Sequence, residues 1–274
     1  MSNDTVSDSG VQNQSSPRYQ YRYYSTNGAS TSPTTIVLVC VGTAMSVSDY
    51  GDLATQTVTN DNSILFCMVD HNPGNIVKLN GNRAADALND LATNFHDRFG
   101  GLVSTSNPVF AIGGHSAGGS AVVDAMETSL LSFVPVAYVG IDPFGSPAPL
   151  GTGPLSRKSI PVPTLAVGFT VTTCGVNINE AGKKAYEICT DSTHRVLLQI
   201  QNPLVRGEQI THCIFTDSGC ASVLCPSHNE GAWVRQLVGK SIPLFLSHAN
   251  RDAFVDAIGA NAVNLFVNDQ NPEG

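Results

Sequence analysis

Charge is scarce in this chain. Asp, Glu, Lys and Arg together supply 13% of its 274 residues, about half the usual share of a soluble protein. A thinly charged surface rich in Ser, Thr, Asn and Gly suits a secreted protein or one that handles apolar substrates. Net charge is −8 and basic clusters are missing, so nucleic acid is excluded as an expected partner. Apolar runs all fall short of a bilayer span. The first residues hold no charged segment leading into an apolar stretch, so no signal peptide is expected within the chain, and the compartment stays open. Zinc-finger spacing is also lacking. His212 beside Cys213 is the one close His/Cys pair, and neither a metal nor an organic cofactor is expected.

What is present points to one large α/β domain. Apolar residues make up 42% of the chain, enough for a substantial core at this length. Residues 1–33 are Ser, Asn, Thr, Gln and Gly around Tyr19, Tyr21, Tyr23 and Tyr24. They read as a flexible polar tail, in which the tyrosine alternation could pack as an edge strand. The domain proper is expected over 34–274. Continuous apolar runs at 35–41 and 64–69 read as strands buried on both faces. Further runs at 109–113, 136–141, 163–169 and 195–200 continue the series. Between them, 50–58 reads as a short helix. Over 83–99, Ala85, Leu88, Ala92, Phe95 and Phe99 recur in steps of three and four, on one helical face. A closing helix is expected at 252–266. Strands alternating with amphipathic helices predict a mostly parallel, doubly wound sheet with helices on both faces. Cys40 and Cys67 lie in strand runs and read as buried thiols. Cys174, Cys189, Cys213, Cys220 and Cys225 fall in the loop-rich later part, where Cys174–Cys189 and Cys220–Cys225 bridges are possible.

The third strand runs into Gly114-His115-Ser116-Ala117-Gly118, followed by a small-residue helix start. Strand, sharp turn and helix around G-x-S-x-G is the context of a nucleophile elbow. Serine needs a base, and the base an orienting carboxylate. In a doubly wound sheet these groups converge at the carboxyl ends of the strands. Among seven histidines, His212 follows the sixth strand and sits on that rim. His194 precedes the strand and belongs to the opposite end, His96 is a surface helix residue, and His228 and His248 lie further downstream. His71 ends the second strand and could line a pocket. His115, Met45 and Phe144 are the other expected pocket residues. Asp142 ends the fourth strand and is the preferred acid, with Glu180 and Asp191 as reserves. One oxyanion donor is expected from the backbone of Ala117 and the other from Thr43 or Ala44, in the loop after the first buried strand.

With these residues placed, the chain resembles the α/β-hydrolase superfamily over 35–267. Within it, the chain is most similar to chlorophyllases and lipase-like esterases. The likeness rests on Gly140-Ile141-Asp142-Pro143, on the run from Pro163 to Gly168 followed by Cys174-Gly175-Val176-Asn177, and on the late His212. It implies a Ser116, Asp142, His212 triad acting on a small-molecule or lipid-like ester. Ala117 stands where chlorophyllases typically carry arginine, and Cys213-Ile214 where they carry Leu-Asp, so the resemblance speaks to reaction class more than to chlorophyll. The rival expectations are an acyltransferase and a catalytically silent binding protein on the same fold.

Overall fold

A computed structural model describes residues 5–27, 32–143, 158–171, 180–200, 211–217, 231–248, 250–258 and 265–266. The sheet begins earlier than the composition suggests. Strands β1 (Thr5–Asp8), β2 (Gln12–Ser15) and β3 (Arg18–Asn27) occupy most of the expected tail. β3 is not an edge strand: it pairs antiparallel with β1 and β2 on one side and with β5 (Ile64–Asp70) on the other. Its tyrosines explain the reversal. Tyr19 and Tyr21 are buried, their rings 5.7 Å apart, and Phe99 meets Tyr21 and Tyr23 edge-on. That aromatic area stabilises a strand which polar neighbours alone would not.

Six central strands are parallel. β4 (Thr35–Cys40) lies between β5 and β6 (Val109–His115). Then follow β7 (Ala137–Ile141), β8 (Thr164–Phe169) and β9 (Arg195–Ile200). β10 (Leu265–Phe266) pairs antiparallel with β9, so the chain expected to be helical through residue 266 returns to the sheet edge instead. The helix in that segment, α7 (Arg251–Ile258), ends sooner.

Alternation along the strands builds two cores. Val37 and Val39 face α1 (Gly51–Asn60), α6 (Ala232–Ser247) and α7. Ile36, Leu38 and Cys40 face α2 (Gly81–Thr93), α4 (Ala117–Glu127) and α5 (Ala181–Glu187). The 83–99 periodicity is carried by two helices, α2 and the short α3 (Phe95–Arg98), divided at Asn94. Strand order reverses at β4, whose two sequence successors lie on opposite sides of it. That makes the carboxyl ends of β4 and β6 a topological switch point, where open α/β sheets place their ligands.

Close approach at this point explains the glycines of the motif. A methyl at Gly114 would lie 2.4 Å from the Gly119 nitrogen, and one at Gly118 would lie 2.4 Å from the carbonyl oxygens of both Cys40 and Val41. These obstacles are backbone and cannot swing aside. Gly118→Ala is therefore expected to destabilise the protein by about 3 kcal/mol, at the upper end of ordinary overpacking; urea unfolding midpoints check this.

Candidate active site

β6 ends at His115, and α4 begins at Ala117. Ser116 joins them with φ 53° and ψ −127°, a backbone state that costs a non-glycine residue of the order of 1–3 kcal/mol. Its amide is held by a 3.1 Å bond to the Ile141 carbonyl on the neighbouring strand. The strain is thus maintained by sheet and helix together.

The next strand brings the acid. Asp142 follows β7 directly, with φ 39°, and its amide donates to the Val167 carbonyl at 2.7 Å. Its carboxylate oxygen Oδ2 is hydrogen-bonded to Nδ1 of His212, which opens the 3-10 turn His212–Phe215. Both side chains are about 2% exposed. A buried carboxylate on Nδ1 fixes the imidazole tautomer and leaves Nε2 as the nitrogen for proton transfer. Asp142 and His212 are thus brought together as expected. Glu180 and Asp191 are not: Glu180 pairs with Lys183 and Gln199, and Asp191 caps its own turn through Thr193 and His194.

The turn that carries His212 is fastened on several sides. Arg235 of α6 donates to the carbonyls of Ile214 (3.0 Å) and Thr216 (3.2 Å) and pairs with Asp52 of α1. Cys213 is disulfide-bonded. Cys189 is a free buried thiol, so the Cys174–Cys189 bridge that the sequence allowed does not form. Cys174, Cys220, Cys225 and His228 lie outside the described residues.

The loop after β4 abuts the elbow, since a methyl at Gly42 would lie 3.0 Å from Ser116 Cβ. Its amides are distinguishable here, as they were not in the sequence. Gly42 donates to the Tyr50 hydroxyl, Ala44 to the Ile76 carbonyl at 3.0 Å, and Met45 to the Gly42 carbonyl. The Thr43 amide donates to none of the described residues. Ala44 N–H is therefore committed elsewhere, and Thr43 is the open donor. Ala117 is the first residue of α4, where a backbone N–H has no intrahelical acceptor.

Of the expected pocket residues, His115 and Met45 are buried, at 0% and 6% exposed. The Tyr50 hydroxyl lies 2.8 Å from His115 Nδ1 and 2.7 Å from the Met45 sulfur. Phe144 lies outside the described residues. His71 is fully buried, with Nε2 2.8 Å from the Lys78 carbonyl, beside a buried Lys78–Asp70 ion pair. Burial pushes its pKa down to about 4. A histidine depressed in the folded state stabilises fully above its unfolded pKa and loses that contribution as pH falls. Stability should therefore drop by about 3 kcal/mol between pH 6.5 and 4 through this residue. Urea titrations at both ends, with His71→Gln flattening the curve, measure it.

Ile76, Val77 and Leu79 are exposed apolar residues on the loop that accepts the Ala44 amide. Sequence reasoning overlooked this loop, and it also overlooked Tyr50 and Arg235 as site-building residues. Tyr50 was legible only as part of a helix, and α6, which carries Arg235, was not anticipated at all.

Among solved structures the chain is similar to ester-hydrolase EH1AB1 from the metagenome of Lake Arreo, complexed with a derivative of bipyridine phosphonate. The match has a TM-score of 0.58 at 10% identity and covers 89% of this chain and 84% of that one. The fold is that of the α/β-hydrolases. No family model and no curated protein matches the sequence. Along the chain, Ser116 follows β6, Asp142 follows β7 and His212 comes after β9. Among the described residues no helix is long and apolar enough to cross a membrane, and no group of His, Cys, Asp or Glu is disposed to hold a metal ion.

Proposed function

We propose that this protein is a serine carboxylic-ester hydrolase. The observation that carries the reading is the buried Asp142–His212 hydrogen bond on the rim where a strained Ser116 leaves the sheet. Ser116 Oγ attacks the ester carbonyl while His212 takes its proton on Nε2. Asp142 stabilises the imidazolium through Nδ1–H. The carbonyl oxygen gains negative charge and is met by the backbone N–H groups of Ala117 and Thr43. His212 then returns the proton to the departing alcohol, leaving an acyl-enzyme. Water attacks that ester with His212 again as base, releasing the acid and restoring Ser116. No cofactor enters these steps.

The substrate is a bulky or apolar ester. Sparse surface charge and the exposed Ile76, Val77 and Leu79 beside the Thr43–Ala44 turn support that choice. Chlorophyllase-type cleavage of a phytyl ester is the narrower reading, favoured by Gly140-Ile141-Asp142-Pro143. Assays on nitrophenyl acetate, nitrophenyl octanoate and chlorophyll separate them. The generic esterase predicts hydrolysis of both nitrophenyl esters, with the octanoate preferred, and no release of chlorophyllide. Chlorophyllide formation establishes the narrower reading. Failure on all three, together with an unreactive Ser116, leaves a binding protein on a hydrolase fold.

A further inference from the structure

His115 has no part in the steps above, yet both its ring nitrogens are engaged at full burial. Nε2 lies 3.0 Å from the backbone carbonyl oxygen of His212, and Nδ1 lies 2.8 Å from the Tyr50 hydroxyl. The tautomer follows from the partners. A carbonyl can only accept, so Nε2 carries the proton. Burial and the neighbouring His212 disfavour a second proton and hold the pKa well below the ordinary histidine range. Nδ1 is then an acceptor for the Tyr50 hydroxyl, whose oxygen in turn accepts the Gly42 amide at 3.2 Å. The His115 ring also packs on the His212 ring, centroids 4.6 Å apart at 34°, with Phe215 edge-on behind it at 5.5 Å.

One side chain therefore touches both halves of the site. Through Nε2–H it fixes the peptide that bears the base. Through Tyr50 and Gly42 it fixes the turn that bears the Thr43 donor. We infer that His115 is a positioning residue, a neutral imidazole that keeps His212 and the Thr43 turn in register around Ser116. The inference rests on the serine-hydrolase reading. It gives the histidine of the elbow a task inside the protein rather than on a pocket wall.

The test compares two near-isosteres. In His115→Gln the side-chain amide reaches the Nε2 position and still donates to the His212 carbonyl. In His115→Asn it reaches only the Nδ1 position, so that bond is lost while a partner for Tyr50 remains. His115→Asn is expected to lower kcat by about 10- to 100-fold with KM within about two-fold, as for ångström-scale misplacement of a catalytic group. The rate at which Ser116 reacts with a fluorophosphonate should fall in parallel. His115→Gln should recover to within about three-fold of wild type, because hydrogen bonding at the His212 carbonyl is preserved.

Equal losses in the two variants, or a lowered melting temperature with kcat unchanged, would overturn the inference. Nitrogen-15 NMR of the wild-type imidazoles needs no variant to fold. A His115 ring protonated on Nε2 and bare on Nδ1 at neutral pH supports the assignment, and a proton on Nδ1 overturns it. Failure of the underlying reading has a different signature: wild type and Ser116→Ala would be indistinguishable in hydrolysis and in labelling, and the inference would fall with it.

Discussion

Replacing Ser116 with alanine should lower kcat for ester hydrolysis by about 10⁵- to 10⁶-fold, and His212→Ala should cost a similar factor. The double variant should be scarcely worse than either single one. Nucleophile and base act as a unit: without the hydroxyl there is no proton for the imidazole to take, and without the imidazole the hydroxyl keeps its proton. What remains in each case is the contribution of the two backbone donors and of substrate binding. Both variants should stay folded. Removing one hydroxyl relaxes no packing, and the His212 turn keeps its bonds to Arg235. Single-turnover kinetics with nitrophenyl octanoate would check both the size and the non-additivity. Additive losses would mean that the two side chains do not work on the same proton.

Asp142→Asn should cost about 10⁴-fold in kcat with little change in fold. The amide fills the same volume but offers an N–H as readily as an oxygen. Meeting that donor, His212 can place its proton on Nε2, which leaves no free nitrogen to accept from Ser116. The neighbouring carboxylates provide the contrast. Glu180 is engaged with Lys183 and Gln199, away from the imidazole, so Glu180→Gln should stay within about two-fold of wild type, as expected of a side chain outside the coupled group. A large loss at Glu180 with none at Asp142 would reassign the acid.

Much of this arrangement was legible from residue order, because the signals are local. Each central strand shows as an apolar run, and the elbow as two glycines around a serine at the end of one. Asp142 and His212 were reachable by asking which end of a parallel sheet each loop leaves from. Other features depend on contacts remote in sequence. The β1–β3 hairpins look like a tail because alternate residues are polar; only burial of Tyr19 and Tyr21 against Phe99 makes them strands. The segment at 252–266 has helical periodicity at first, but its end pairs with β9. Thr43 and Ala44 could not be separated either, since the choice turns on the carbonyl of Ile76, which accepts from Ala44 and not from Thr43. His115 suggested a pocket wall by its place in the motif, whereas the positioning role we infer for it depends on Tyr50 and on the main chain of His212.

The central claim is that Ser116 is made reactive by His212 held against Asp142. It is tested most directly by treating the folded protein with a fluorophosphonate and mapping the adduct by peptide mass spectrometry. The account predicts stoichiometric modification at Ser116, absent in Ser116→Ala and slowed by orders of magnitude in His212→Ala and Asp142→Asn. An unmodified Ser116, or modification at an undiminished rate without the imidazole, would contradict it.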